Sequence, residues 1–504
     1  MGALPVYVKY NKMKGNTDMK KYLALLLTLC LLLACGVTTV ASAANDEMPN
    51  LVMNFAYLEV PSDLKMIEEE INKITTEKIG CTVTLNAYTY GNIRDQMTMI
   101  LASPSEQWDL MCGLFLSGIS GFVNKGQLTP LNDLLDEYGQ DIKEVLGQAY
   151  LDACAVDGEC YEVTTCRNLA GQECVMFSKE IIDELGLNEQ VAAVKTYADL
   201  TPIFAAIHEA HPEMWGVASS GIKTNLIIKG IDQEDILGDG LGVLMDPTDP
   251  TVSNLFESEA YRELCLLTKS WNDAGYIYPD VTTDDSNNGQ LLLKEGLLAA
   301  YFQTYKPGAV VENQIACGGK ELVCATVNEP LATNVQNWGW CIPTNAKYPE
   351  KAMELLNLLY CDADLINLLS YGVKGYHWDL DEQGFAVPGE HAEGYSDKKN
   401  WISGNAYIGA VWTGDDADLF EQLKAFNNDA EKSIGMGFTF DGSAYNAEYT
   451  AMQNVLSQYR LLLEWGFVGD VDQTLAEFNK ALYDAGLQKY MDAKQAQLNE
   501  FVAK

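Results

Sequence analysis

The chain of 504 residues carries 33 basic against 71 acidic side chains, a formal net charge of −38. A field of that sign repels phosphate backbones and anionic lipid, which excludes nucleic acid and the bare membrane surface as expected partners. The length exceeds what a single hydrophobic core fills, so two or more lobes are expected.

The first element is an address label. "KYLALLLTLCLLLACG" (residues 21–36) has a basic start at Lys20 and Lys21 and then stays apolar through Ala34. It has the length of a signal-peptide core, falls short of the ~20 residues that span a bilayer, and lacks the polar face of a core helix. Residues 1–35 therefore read as a signal peptide, with 1–18 an upstream extension before Met19-Lys20-Lys21. Two cuts are compatible with it. Leu32-Leu33-Ala34-Cys35 resembles the bacterial lipobox, in which Cys35 is diacylated and becomes the new N-terminus. Ala41-Ser42-Ala43 is an ordinary A-x-A site that would release a soluble protein. The lipobox is favoured because Cys35 directly abuts the apolar run. Residues 36–49 are then a tether, and the mature chain works outside the cytoplasm, lipid-anchored to the outer face of the cell membrane or secreted after Ala43.

From Leu51 the sequence alternates strand and helix. "LVMNFAY" is an apolar strand, and "PSDLKMIEEEINKITTEKIG" a helix with Ser62 or Asp63 as N-cap, Pro61 near its start and Gly80 past its end. "CTVTLNAYTY" is β-branched and strand-like, "IRDQMTMILAS" is helical, and "WDLMCGLF" is a third strand. This order implies right-handed crossovers and mostly parallel sheets. Asp157-Gly158 in "VDGECYEV" reads as a hairpin turn, and "FSKEIIDELGL" and "TYADLTPIFAAIHEAHP" as amphipathic helices. "DQEDILGDG" (232–240) lacks calcium-loop spacing and reads as a surface turn. No repeat or low-complexity linker occurs, and the chain is helical almost throughout from Asn446.

Catalytic signatures are missing. His208-Glu209-Ala210-His211 is one residue short of the zinc-protease helix motif and has no evident third ligand. There is no Gly-x-Ser-x-Gly elbow, and Gly319-Lys320 is followed by Glu321 rather than Ser or Thr, so no phosphate loop is present. Removing Cys30 and Cys35 leaves 11 of the 13 cysteines, an odd number with no Cys-x-x-Cys. Free, mostly buried thiols are expected, with one local disulfide among Cys154, Cys160, Cys166 and Cys174 as the alternative. No metal and no cofactor are expected.

Several stretches together resemble the extracellular solute-binding proteins of bacterial ABC importers. They are "AVDGECYEVTT" with "CVMFSKEIIDELGL", "WDLMCGLFLSGISGFVNKGQLTPLNDLLDEYG", and "NWGWCIPTNAKYPEKAMELLNLLYCDADLINLLSYGVKG". The tail from "GFTFDGSAYNAEYT" to "KYMDAKQAQLNEF" looks like a lipoprotein subgroup whose C-terminal region has no assigned function. Thr164 stands where many members have proline, which leaves open how stiff that crossover is. The resemblance implies an α/β fold of two lobes, of the periplasmic-binding-protein type II, with a helical C-terminal segment. Lobe 1 would comprise 50–165 and 340–370, and lobe 2 166–339 and 371–504, with crossovers near 164–168, 337–342 and 370–374. It also implies a monomer that closes on its solute and docks on a membrane permease, the ATPase being another chain.

Aromatic residues carry the ligand expectation. Trp338-Gly339-Trp340 on a strand sends both rings to one face, with Gly339 between them for close approach. "AAYFQTYKPG" sets Tyr301, Phe302 and Tyr305 around Gln303. Such rings offer flat faces to sugar C–H groups, so a carbohydrate, in particular an oligosaccharide, is the expected ligand, with a peptide or another organic solute as the alternative. Strand carboxyl ends add Tyr57, Glu59, Tyr90 and Phe115, the first crossover adds Arg167 and Asn168, and "GNAYIGAVW" adds Asn405 and Trp412. The competing readings are an extracytoplasmic glycoside hydrolase and a ligand-sensing partner of a membrane receptor.

Overall fold

In the computed structural model, residues 48–103, 105–114, 119–221, 225–227, 230–283, 288–333, 335–336, 338–395 and 400–503 are described. The segment read as a signal peptide, both expected cleavage sites with Cys35, and Phe115 lie outside them. Residues 49–504 group as one unit, and the fold is that unit's. Its main strands are β1 (Asn50–Tyr57), β2 (Thr82–Thr89), β3 (Leu110–Leu114), β4 (Val163–Thr164), β5 (Gln172–Ser178), β6 (Trp215–Ser219), β7 (Leu298–Tyr305), β8 (Leu322–Thr326) and β9 (Trp338–Cys341). Its main helices are α1 (Leu64–Ile79), α2 (Ile93–Leu101), α3 (Thr201–Ala210), α4 (Glu259–Asp273), α5 (Pro349–Cys361), α6 (Ala363–Tyr371), α7 (Leu419–Asp429), α8 (Asn446–Glu464), α9 (Val471–Asp484) and α10 (Leu487–Val502).

The β1–α1–β2 segment forms as its pattern predicts, with Ile67, Ile71 and Thr75 on the buried face of α1 and Gly80 ending it at φ 64°. Asp63 takes the N-cap position without making a cap bond. Its carboxylate lies instead 3.2 Å from His377 Nε2.

Two sheets define the lobes. The first has the order β2-β1-β3-β9-β4 and the second β8-β5-β7-β6. β1 is parallel to β2 and β3, but β9 is antiparallel to both β3 and β4. β5 is likewise antiparallel to β7 and β8, while β6 and β7 are parallel. The sheets are therefore mixed rather than mostly parallel. The cause is the crossing: β9 re-enters lobe 1 and β5 enters lobe 2 from the other lobe, so each runs against strands of the lobe it joins.

Each lobe has its own core. Leu51, Phe55, Trp108, Trp340 and Leu355 belong to the first. Phe177, Phe302, Trp271 and the inner faces of α8–α10, including Met452, Phe478 and Leu487, belong to the second. The third crossover expected at 370–374 falls later. Tyr395 and Ile402 are buried in the lobe 1 core, with Tyr407 and Ile408 packed on it. After α6 the chain turns at Gly372 (φ 85°) into a hairpin, Trp378–Leu380 with Ala386–Pro388, whose Trp378 indole donates to the Gly372 carbonyl at 2.8 Å. The described residues 371–395 and 400–408 thus stay with lobe 1, because that turn and hairpin fold the chain back onto it.

The three connections between lobes meet at one place. Gly171 bridges Leu331, and Leu331–Ala332 pairs in parallel with Glu431–Lys432. Ala170, Ala332 and Ala430 form a small buried cluster there. Asn427 of α7 ties the first connection down: its Oδ1 accepts from Leu169 N–H at 2.8 Å and its Nδ2 donates to the Arg167 carbonyl at 2.6 Å. Thr164 is tied down by hydrogen bonds where proline would fix φ. Its hydroxyl donates to the Val335 carbonyl at 2.7 Å and its own carbonyl accepts from Tyr360 Oη at 2.5 Å.

Candidate functional site

In an open α/β sheet, ligands enter the crevice at the carboxyl ends of the strands. At that end of lobe 1 three half-buried rings converge: Tyr90 just past β2, Trp338 opposite Leu114 at the end of β3, and Trp401 on the short helix Asn400–Ser403. Trp338 stands edge-on to Tyr90 at 5.6 Å and to Trp401 at 5.5 Å between centroids, and Tyr90 and Trp401 are 6.1 Å apart. Tyr90 is anchored by its backbone N–H, which donates to the Tyr57 carbonyl at 2.9 Å. Beyond β1, Leu58 and Val60 are 70% and 51% exposed and flank the exposed Glu59, so apolar surface is held in solvent where the strand ends. Rings locked edge-to-face at a rim keep a fixed shape and still show apolar faces to a ligand.

Trp340 points to the same face as Trp338, as the strand period requires, but two residues deeper. It is fully buried and stacks on Phe55 at 5.8 Å. Tyr57 is also fully buried, edge-on to Phe55 and to Tyr395. These two rings belong to the lobe 1 core and have no surface to offer a ligand in this conformation. Asn405 is buried as well, its amide donating to the Tyr360 carbonyl at 2.9 Å and its oxygen capping the turn at Tyr407. It locks the chain rather than facing the crevice.

Gly339 does admit a close neighbour, on the face away from the rings. A Cβ at Gly339 would lie 1.9 Å from Glu162 Oε1. That carboxyl is fully buried, and neither oxygen has a hydrogen-bond partner. Burial pushes its pKa well above the usual carboxylate range, opposed only in part by Arg167. Arg167, on the first connection, donates to the carbonyls of Asn168 at 3.2 Å and Val335 at 3.5 Å. Its guanidinium thus spans the first and second connections. Burial lowers its pKa and Glu162 raises it again.

On lobe 2, half-buried Tyr305 ends β7 and stands edge-on to Phe426 of α7 at 6.0 Å. Gln303 Oε1 accepts from the backbone N–H of Thr304 at 2.8 Å, and Asn168 is half-buried beside Arg167. Trp412 belongs to a satellite cluster with Tyr371, Trp378 and Ala386, away from the three-ring rim. Sequence reasoning missed Trp401 and Phe426. Each is a lone aromatic in a polar stretch, so only the packing shows that they complete ring pairs.

Among the described residues no group of three or more His, Cys, Asp or Glu is placed to hold a metal ion, and His211 lies between Glu184 and Glu213. Cys154, Cys160, Cys166 and Cys174 are all free and buried. A separate groove of about 670 Å³ runs between the lobe 1 segment Asp152–Gly158 and the C-terminal residues Phe438, Asp441, Gln497 and Phe501. None of the candidate ligand residues lines it.

Two α/β lobes on three connections, with an aromatic rim at the strand ends, define a solute receptor. The chain matches the bacterial extracellular solute-binding proteins over residues 65–364 and belongs to that family. Residues 434–503, which include α8 to α10, match a domain of unknown function, DUF3502. The chain is 25% identical over 482 residues to a carbohydrate ABC transporter substrate-binding protein of Streptococcus pneumoniae, covering 94% of this chain and 95% of that one. It is similar in fold to the crystal structure of the N-glycan transport solute binding protein NgtS of S. pneumoniae (24% identity, 90% of this chain and 99% of that one, TM-score 0.78). It also resembles the same protein in complex with Man5GlcNAc (24% identity, 90% and 99% coverage, TM-score 0.62). Among the described residues no helix is long and apolar enough to cross a membrane.

Proposed function

We propose that this receptor binds an oligosaccharide between its lobes and delivers it, as a monomer, to the permease of an ABC importer whose ATPase is a separate chain. The observation that carries this reading is the rim of Tyr90, Trp338 and Trp401, three half-buried rings at the strand ends with Trp338 edge-to-face to both others. Tyr305 with Phe426, and the exposed Glu59, supply the facing ring pair and a hydroxyl acceptor. The names of its relatives point the same way, one being a carbohydrate transporter subunit and the other a glycan-transport protein seen with a mannose oligosaccharide. At equal identity and coverage, the chain superposes better on the structure named without a sugar than on the Man5GlcNAc complex. That supports reading the present arrangement as the one that receives ligand, with closure about the connections at Ala170, Ala332 and Ala430. Lipidation at Cys35 would tether the receptor beside its permease; a mature N-terminus at Ala44, found by mass spectrometry, would refute that part.

The test is a thermal-shift screen of neutral and acidic oligosaccharides, monosaccharides and peptides, followed by calorimetry and product analysis on any hit. A ligand that binds only the folded state raises the melting temperature by mass action. An oligosaccharide that shifts the curve and binds stoichiometrically without turnover is the expected result. A shift with peptides alone removes the carbohydrate reading, and release of sugar product replaces the receptor with a hydrolase.

A further inference from the structure

The loop "DILGDGLGVL" (235–244) between β6 and α4 closes on itself. Asp235 N–H donates to the Leu244 carbonyl at 3.0 Å and Leu244 N–H returns to the Asp235 carbonyl at 2.9 Å. Within it Leu237, Gly238, Gly240 and Gly242 take left-handed φ values of 45°, 87°, 71° and 90°. The loop's interior is not empty. Lys494 of α10 enters it with its side chain 0% exposed and its Nζ 2.6 Å from Asp239 Oδ1, 2.8 Å from the Leu241 carbonyl and 3.2 Å from the Gly242 carbonyl. An ammonium has three N–H donors, and here each has its acceptor.

The rest of the cage suits a cation of this kind. The rings of Tyr490 and Phe440 lie 5.3 and 5.7 Å from the ammonium. The second oxygen of Asp239 accepts from Tyr490 Oη at 2.6 Å, and Oδ1 also accepts from Leu241 N–H at 2.9 Å, so the carboxylate is fixed in orientation. Buried Asp235, whose Oδ1 accepts from Leu237 N–H, adds to the negative field. Burial depresses the Lys494 pKa and Asp239 opposes it. Three oxygens and two ring faces match an ammonium; calcium takes six to eight oxygens.

We propose that residues 235–242 with Phe440 and Tyr490 form a binding site for a primary ammonium, filled in the intact chain by Lys494. The region matched only to a domain of unknown function thereby acquires a role: it carries a tethered cation that locks the last helix onto lobe 2. This inference is independent of the carbohydrate reading.

The experiment compares thermal unfolding of the parent with Lys494→Ala and Lys494→Met, with and without n-propylammonium, tetramethylammonium or calcium at matched ionic strength. n-Propylammonium replaces the deleted Cγ, Cδ, Cε and Nζ atom for atom. Both variants are expected to melt below the parent, since each leaves the half-buried Asp239 carboxylate without its counter-charge. n-Propylammonium should raise the melting temperature of Lys494→Ala saturably, leave the parent and Lys494→Met unmoved, and fail on Asp239→Asn/Lys494→Ala. If Lys494→Ala does not fold unaided, its refolding yield with and without n-propylammonium is the readout. A Met variant that melts with the parent, or recovery no greater with n-propylammonium than with tetramethylammonium or calcium, would overturn the site.

Discussion

Trp338 and Trp340 sit two residues apart on one face of one strand, and truncating each to alanine should produce opposite phenotypes. Trp340 is fully buried and stacked on Phe55 in the lobe 1 core. Removing a buried indole costs about 3–5 kcal/mol from lost transfer energy and the cavity left behind. For a folding unit of lobe size, each kcal/mol lowers the melting temperature by roughly 2–4 °C, so a fall of roughly 6–20 °C is expected. Its binding of any oligosaccharide hit, measured well below that transition, should be nearly unchanged. Trp338 is half-buried at the rim against Tyr90 and Trp401. Its truncation should cost less stability but about 2 kcal/mol of binding, some thirty-fold in Kd. Differential scanning fluorimetry and isothermal calorimetry on the two variants separate the effects. Trp338→Ala binding as tightly as the parent would refute the aromatic platform. Trp340→Ala melting like the parent while binding poorly would refute the division into rim and core.

Gly339→Ala should destabilise by about 1–3 kcal/mol, because its Cβ would fall 1.9 Å from Glu162 Oε1, and Glu162→Ala in the same chain should recover most of it in a double-mutant cycle. Glu162 itself makes stability depend on pH. Its folded-state pKa is raised, so the buried acid favours folding fully below the unfolded carboxylate value, and that contribution is lost as pH climbs toward the folded value. Glu162→Gln should therefore gain on the parent as pH rises above about 4.5 in chemical denaturation; parallel curves for the two would refute it. Asn427→Ala leaves the Leu169 amide and the Arg167 carbonyl without their buried partner and should cost about 1–3 kcal/mol, read from the urea midpoint. Native alkylation followed by intact mass should find Cys361 as the most reachable thiol among the described residues, yet slow to react at pH 8, since burial and Asp141 push its pKa up to about 11.

Local chemistry decided a good deal of this molecule. Gly80 ends α1 because a left-handed residue is needed there, and the alternation of "LVMNFAY", α1 and "CTVTLNAYTY" specifies a parallel β1–β2 pair whatever else the chain does. Strand carboxyl ends and period-two spacing were enough to nominate Tyr90 and Trp338. Depth along a strand is a different matter. Trp338 and Trp340 share a face by periodicity, but only the pairing of β9 with β3 puts one opposite Leu114 at the rim and the other opposite Cys112 in the core. Gly339 signalled a close approach without saying by what, because Glu162 comes from another strand. The turn at Gly372 looked like an exit from lobe 1 until a hairpin folded the chain back onto it, and strand direction depended on the lobe from which each crossing arrives. The acidic turn at 232–240 looked solvated because its counter-ion, Lys494, is some 250 residues away in sequence. Periodicity and capping act over a few residues, whereas register, burial depth and charge pairing are fixed only when distant segments compete for the same interior.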